Sequence, residues 1–156
     1  MIRRARSEDL PAIGRLGALL LRAHYEFDAQ RFLSPGAGAE DGYAQFLATQ
    51  IDRTDSLVLV AERAGDIVGY LYAGIEPHNW KELRERAGFV HDILVTEDAR
   101  GYGAGRELMD AAFAWMREQN VPRVLLWTAA ANDRARRLFE RLGFRPTMIE
   151  MTRDLD

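Results

Sequence analysis

Glycines at positions 101, 103 and 105, bracketed by Arg100 and Arg106, are the part of this sequence best suited to chemistry. They follow an apolar, β-branched run from Gly88 to Val95 and precede a stretch, Gly103 to Asn120, whose residues Leu108, Ala112, Trp115 and Met116 recur at helical spacing. The pattern is strand, glycine loop, helix. Without Cβ atoms the loop lets an anion reach the backbone, and the first N–H groups of the helix have no partners inside it. The positive helix end and the two arginines complete a nest for phosphate oxygens. Position 106 is Arg, so the dinucleotide fingerprint G-x-G-x-x-G fails, and no G-K-[ST] is present for a nucleotide P-loop. The plainer reading is a capped glycine turn.

The strand before this loop carries His91 and Asp92, two groups able to move a proton. By the period of two along a strand they point to opposite faces, so only one is expected to face a site directly. An unperturbed histidine titrates near about pH 6.5, which suits a base. The plainer readings are a satisfied sheet histidine and a carboxylate bonded to backbone or arginine.

The elements that must hold these groups can be read from the surrounding pattern. The 156 residues and 17.7 kDa fit one domain spanning 1–156. With 47% hydrophobic and 29% charged residues the composition is globular. A net charge of −3 and a pI near 5.7 give no basic field for nucleic acid. There is no cysteine, which excludes disulfides, thiolate zinc sites and a cysteine nucleophile, and three scattered histidines form no metal motif. The longest apolar runs, Leu57 to Ala61 and Val124 to Trp127, are far below the roughly 20 residues of a membrane span. Met-Ile-Arg-Arg-Ala-Arg leads into polar residues, so the expectation is a cytoplasmic protein with an intact N-terminus.

Along the chain, a short strand at Ile2–Ala5 precedes a helix capped by Ser7, with Leu10, Ile13, Leu16 and Leu20 on one side. Residues Phe32 to Ala39 read as loop, and Gly42 to Asp52 as a second helix. Ser56–Glu62 and Ile67–Ile75, joined by Arg-Ala-Gly-Asp, form an antiparallel hairpin. After the strand, loop and helix above come a strand at Val124–Thr128, an Arg-rich helix at Asp133–Leu142 closed by Gly143, and a last strand at Thr147–Leu155. The order β-αα-ββ-β-α-β-α-β implies an α/β (α+β) fold with a mixed central sheet flanked by helices.

Arg100-Gly101-Tyr102-Gly103-Ala104-Gly105 fits R-x-x-G-x-G, and Asn132 through Phe144 fits N-x-x-A-x-x-(apolar)-(aromatic)-x-x-x-G-F. Two such motifs, in order and each on the expected element, resemble the GNAT N-acetyltransferase superfamily, and the element order resembles it along nearly the whole chain. The resemblance implies acetyl-CoA as acyl donor and an amine as acceptor, with no metal. Residues 100 to 106, including Ala104, would hold the pyrophosphate. Ile93, Leu94 and Val95 would offer main-chain groups to the pantetheine arm, with Asn132 beside it and Arg136 near the adenosine end; an ordinary solvated cationic face is the alternative for Arg136. His24, Glu26, Phe27, Asp28 and Phe32, with Trp80 and His78 as a second wall, would edge the acceptor groove, unless they merely pack or face water.

Direct transfer needs an amine without its proton. An aliphatic amine has a pKa of about 10.4, so a base is useful at neutral pH, and His91 or Asp92 would serve. At Phe139 the sequence departs from the family, many of whose members carry a tyrosine able to protonate the CoA sulfur. A thiol pKa of about 8.5 makes thiolate a tolerable leaving group without it; Tyr70 or Tyr72 on the hairpin would be replacements. The expected enzyme is an N-acetyltransferase acting in a ternary complex, with a small-molecule amine favoured over a peptide or protein amine. A non-catalytic acyl-CoA sensor is the alternative that Phe139 suggests, and the hairpin edges allow a homodimer.

Overall fold

The computed structural model describes residues 1–155. Five strands form one sheet in the order β1-β2-β3-β4-β5: β1 (Ile2–Arg4), β2 (Ser56–Arg63), β3 (Asp66–Glu76), β4 (Ala87–Val95) and β5 (Val124–Leu126). The first four are antiparallel to their neighbours, while β4 and β5 run parallel. A parallel pair needs a crossover, and α3 (Ala104–Glu118) supplies it. The other helices are α1 (Leu10–Phe27), α2 (Ala39–Ala48) and α4 (Asp133–Arg141).

Both sheet faces are covered, which explains why β2 reads as a nearly unbroken apolar run. Leu57, Leu59, Ala61 and Leu71 pack with Leu108, Met109, Ala112 and Met116 of α3 and Phe139 of α4. The alternate residues Val58, Val60 and Tyr70 pack with Ile13 and Leu16 of α1 and Leu47 of α2. Gly88 brings β4 against α3, for a Cβ there would lie 2.5 Å from Met116 Sδ. The hairpin turn passes through Ala64 and Gly65, both at positive φ, which the glycine accepts without strain.

The mixed α/β class stands as the sequence indicated, with corrections at the element level. Ser7 does not cap α1; it opens a single 3-10 turn, Ser7–Asp9, and makes no side-chain capping bond. Asp9 is the N-cap of α1 and makes no side-chain capping bond to it either. Its carboxylate accepts the Arg6 main-chain N–H at 2.7 Å and two Arg3 N–H groups at 2.7 and 2.9 Å. The second helix lies earlier than Gly42–Asp52, because Gly38 starts it and the chain turns after Ala48. The strand at 124–128 stops at Leu126.

The largest correction concerns Thr147–Leu155, which forms no strand. Its alternation is that of a strand, but β5 pairs only with β4 and the segment runs exposed beside the fold. Strand periodicity states what a segment can pair with, and pairing is decided by whether an edge is within reach.

Asp9 gives a measurable consequence. Hydrogen bonding from Arg3, aided by the Arg6 amide, holds its carboxyl below the usual carboxylate range against the cost of burial. A depressed acid stabilises the fold above its unfolded pKa and ceases to do so as pH falls through the folded value. Asp9→Asn is expected to cost about 1–3 kcal/mol at neutral pH, measured by urea denaturation. The deficit should shrink below about pH 4; a deficit that persists unchanged into acid contradicts the ionic role.

Candidate functional site

A cleft of about 400 Å³ opens between β4 and β5. Its cause is local. The two strands pair only over Gly88–Val90 and Val124–Leu126, so from His91 to Val95 the β4 backbone has no strand on its β5 side. β5 gives way to Trp127 and Thr128, which turn along the cleft wall, and the far side is made by Asn132, Ala135 and Phe139.

A bulge shapes the β4 wall. Asp92 faces Tyr72 on β3 and Val90 faces Ala73, so His91 has no cross-strand partner. One extra residue reverses the alternation: Val90 packs towards α3, whereas Asp92, two positions on, turns towards α1 and α2. The expectation that only one of His91 and Asp92 can face the site is therefore corrected, since both line the cleft.

His91 is held on two flat surfaces, its ring stacked at 4.8 Å on Phe89 and 4.8 Å on Tyr72. Its Nε2 lies 3.0 Å from Glu76 Oε1. Burial between the rings lowers its pKa and the Glu76 carboxylate partly opposes this, so the ring is neutral at neutral pH. Asp92 goes the other way, burial pushing its pKa up to about 7. The Tyr43 hydroxyl donates to Asp92 Oδ2, and the Tyr70 hydroxyl donates to that of Tyr43 at 3.0 Å.

Tyr43 is the residue that sequence reasoning missed. It reaches Asp92 from α2 because α1 carries glycine where the helices cross. A Cβ on Gly17 would stand 2.0 Å from Tyr43 Cδ1. Only the conjunction of a glycine inside an amphipathic helix with an aromatic on the next helix hinted at it.

Past the cleft, β4 leads through a 3-10 turn, Glu97–Ala99, into the glycine loop. Gly101 and Gly103 have φ of 84° and 92°, the left-handed region that glycine enters without a steric cost. Gly103 caps α3. Among the described residues, none of the six successive amides from Gly101 to Arg106 donates to a backbone or side-chain acceptor, the first helical bond being Glu107 N–H to Gly103 O at 3.0 Å. The loop arginines are partly engaged. Arg100 Nε donates to the Val95 carbonyl at 2.9 Å, and Arg106 lies 3.6 Å from Asp110. A further cation arrives from the β2 end, where the Arg63 guanidinium sits 4.3 Å from the Tyr102 ring centroid.

The remaining predicted residues divide. Ile93 lines the cleft, while Leu94 packs on the α1/α2 side and Val95 on the α3 side. Asn132 lines it and also caps α4, its Oδ1 accepting the Ala135 amide at 3.1 Å. Arg136 stays near its own helix start, 3.7 Å from Asp133. Phe139 is buried and lines the cleft. Of the acceptor candidates His24 and Phe32 line it, with Arg31 and Leu33 beside them. Glu26, Phe27 and Asp28 are exposed at the end of α1 and do not. Trp80 is 83% exposed and, with His78, lies in the loop before β4 outside the cleft. Tyr70 and Tyr72 do not line it either. Tyr70 is fully buried, and the Tyr72 hydroxyl is turned to Gln50.

Residues 21–144 match the model of the acetyltransferase (GNAT) family. The chain is 30% identical over 145 residues to the uncharacterized N-acetyltransferase YhfO of Bacillus subtilis, covering 92% of this chain and 88% of that protein. It is 33% identical over 91 residues to an uncharacterized N-acetyltransferase of Archaeoglobus fulgidus, but this covers 57% of the chain and only 60% of the relative's length. A solved aminoglycoside N-acetyltransferase in complex with CoA has a TM-score of 0.76 at 15% identity, over 99% of this chain and 93% of that one. That likeness is one of fold.

The shielded carboxyl of Asp92 should be visible in stability. Its folded pKa lies above its unfolded value of about 3.9, so the folded state retains a proton that the unfolded chain has lost, and stability falls as pH rises between the two. Asp92→Asn keeps an acceptor for Tyr43 and should melt above wild type near about pH 8, the gap closing towards about pH 4. A gap independent of pH in thermal melts would show that the carboxyl is ordinarily solvated.

Proposed function

The chain belongs to the GNAT acetyltransferase family, and from that premise we propose that it is an acetyl-CoA-dependent N-acetyltransferase acting on a small-molecule primary amine. The observation that carries this reading is the row of six undirected amides at a helix start, reached from the end of a cleft that holds a proton acceptor. Pyrophosphate is the anion such a row fits, because many N–H groups converge on it and the two glycines at positive φ keep side chains out of the way. Arg100, anchored on Val95, and Arg106 add positive charge at the loop, and Arg63 with Tyr102 flanks it. The open side of β4 around Ile93 lies where an extended pantetheine arm would run towards His91 and Asp92.

Acetyl-CoA supplies an acetyl thioester. The amine nitrogen attacks its carbonyl carbon, the carbon–sulfur bond breaks, the thiolate leaves, and the proton lost by the amine passes to the protein or to water. Asp92 is the residue suited to take it: with a pKa held near 7 it is a far better base than an ordinary carboxylate and is about half ionised at neutral pH. Tyr43, seated by Gly17, fixes the carboxylate's orientation. His91 is neutral and lines the same cleft, but its lowered pKa makes it the weaker base. Phe139 offers no proton to the sulfur, so the thiolate leaves unprotonated, which a thiol pKa of about 8.5 permits.

The cleft supports a small acceptor. About 400 Å³ is in the range of small-molecule sites, and its acceptor side is aromatic, with His24, Phe32, Tyr43 and Trp127. Glu26 and Asp28, the acidic residues that would suit a basic peptide, stand outside this cleft.

Two measurements test this reading. Calorimetric titration with acetyl-CoA should show binding that Gly103→Val or Arg100→Glu weakens about 10- to 100-fold, the worth of one or more hydrogen bonds to a charged group, with unchanged circular dichroism. Equal affinity in folded variants contradicts the pyrophosphate placement. With an accepted amine, kcat/KM should rise with pH through about 7. Asp92→Asn should abolish that limb and His91→Gln should preserve it; the reverse result assigns the proton to His91.

A further inference from the structure

The cleft carries one fixed charge of each sign. Among the described residues that line it, Asp92 is the single carboxyl and Arg31 the single guanidinium. Asp92 is shielded inside, whereas Arg31 stands exposed at the rim. Transfer of an acetyl group to an amine gives Arg31 no task, yet its position is built. Asp28 ends α1, and its carbonyl accepts the amides of Arg31 and Phe32 at 3.2 and 3.0 Å. The Asp28 carboxylate accepts the amides of Gln30 and Arg31 at 3.1 and 3.2 Å, a turn that brings Arg31 and Phe32 to the cleft. The Arg31 guanidinium then lies 5.1 Å from the Phe32 ring centroid, and that ring meets His24 edge-on at 5.0 Å. An aromatic face beside a guanidinium fixes its plane and leaves the N–H fork to meet a carboxylate in two bonds.

That fork holds a carboxylate already. Nε and Nη2 of Arg31 donate to the two oxygens of Glu150, the second at 2.9 Å. Little else keeps Glu150 there. Ile149 and Met151 beside it are exposed, and among the described residues no amide from Arg145 to Leu155 donates a backbone hydrogen bond. An ion pair as exposed as this contributes little to stability, so a carboxylate arriving on a ligand can take the place of Glu150. The neighbouring rim is apolar and open. Leu33 is 77% exposed and Trp127 70% exposed, and both line the cleft, a surface that the hydrocarbon or aryl body of a ligand would remove from water.

We infer that the acceptor is an amine that also carries a carboxylate on an apolar body, as an amphipathic amino acid does, with its amine at Asp92 and its carboxylate on the Arg31 fork. The two charges of the cleft then meet the two opposite charges of a zwitterion, and the grip at the rim decides which end of the acceptor enters. Glu150 occupies the fork until the acceptor displaces it, which makes it an internal competitor. Were the pair only structural, Arg31 and Glu150 would serve one end, and removing either would have the same effect. Acceptor selection makes them antagonists. The inference rests on the proposed transfer for the position of the amine; the contact at Arg31 is independent of acetyl-CoA.

The probes are leucine, phenylalanine, tryptophan, β-alanine and γ-aminobutyrate, each paired with its primary amide, which keeps the amine and removes the anion. With acetyl-CoA in excess, kcat/KM for the acid should exceed that for its amide in at least one pair. Arg31→Gln should lower this ratio about 10- to 100-fold, the worth of hydrogen bonds to a charged group, and Arg31→Lys should fall between, since it keeps the charge without the fork. Glu150→Gln should raise the ratio, through KM for the acid. Calorimetric titration of the same ligands into the protein without acetyl-CoA reads the discrimination in Kd, independent of transfer. The inference is overturned if no acid of the set binds more tightly than its amide, or if Arg31→Gln and Glu150→Gln do not move the discrimination in opposite directions. Turnover of acids and amides alike removes this inference and leaves the transferase reading standing. Discrimination in Kd that depends on Arg31, with no turnover of any amine, keeps this inference and removes the transferase reading.

Discussion

The separation of β4 from β5 is the constraint on which the rest of this structure turns. A parallel pair that stayed zipped to the end of β4 would leave no cleft, no open strand edge and no route from the glycine loop to His91 and Asp92. Two local causes keep it open: β5 ends after three residues, and the bulge at His91 changes the direction of β4 just where pairing with β5 stops. The sheet can accept this loss because β4 remains paired with β3 on its other side on both sides of the bulge and both faces are buried under helices. Stability is thus supplied on one side of the strand and access on the other.

The two aspartates show how the same side chain is driven in opposite directions. Asp9 is buried at the N-terminal turn with a bidentate arginine and a backbone amide, and its charge is held. Asp92 is shielded with only a phenol as donor, and its charge is resisted. Compensation by a cation separates a carboxylate whose charge is held from one whose charge is resisted.

Much of this was legible in the sequence, and for identifiable reasons. The glycine loop and α3 announce themselves because positive φ and helical periodicity are local demands. The β2–β3 hairpin is local too. The misses are contacts between distant elements. The bulge at His91 has no signature in β4 alone, since it arises from the register with β3, and so the period of two does not anticipate that His91 and Asp92 both line the cleft. Tyr43 is 49 residues from Asp92 and meets it only because Gly17 lets two helices close. Trp80 looked like a wall because aromatic residues often line sites, but the turn tied by Asn79 and Arg84 carries it outward. The segment 147–155 has the right alternation but does not run along the free edge of β5.

The two helical layers also divide the cleft's lining by origin. Asn132, Ala135 and Phe139 come from α4 and its start, while His24, Phe32 and Tyr43 come from α1, α2 and the loop between them. A sheet buried on both faces insulates one layer from the other, so α1 and α2 can drift in sequence without disturbing the opposite half. Descendants of such an architecture can vary one layer while retaining the other, which makes diversification an evolutionary property of the scaffold.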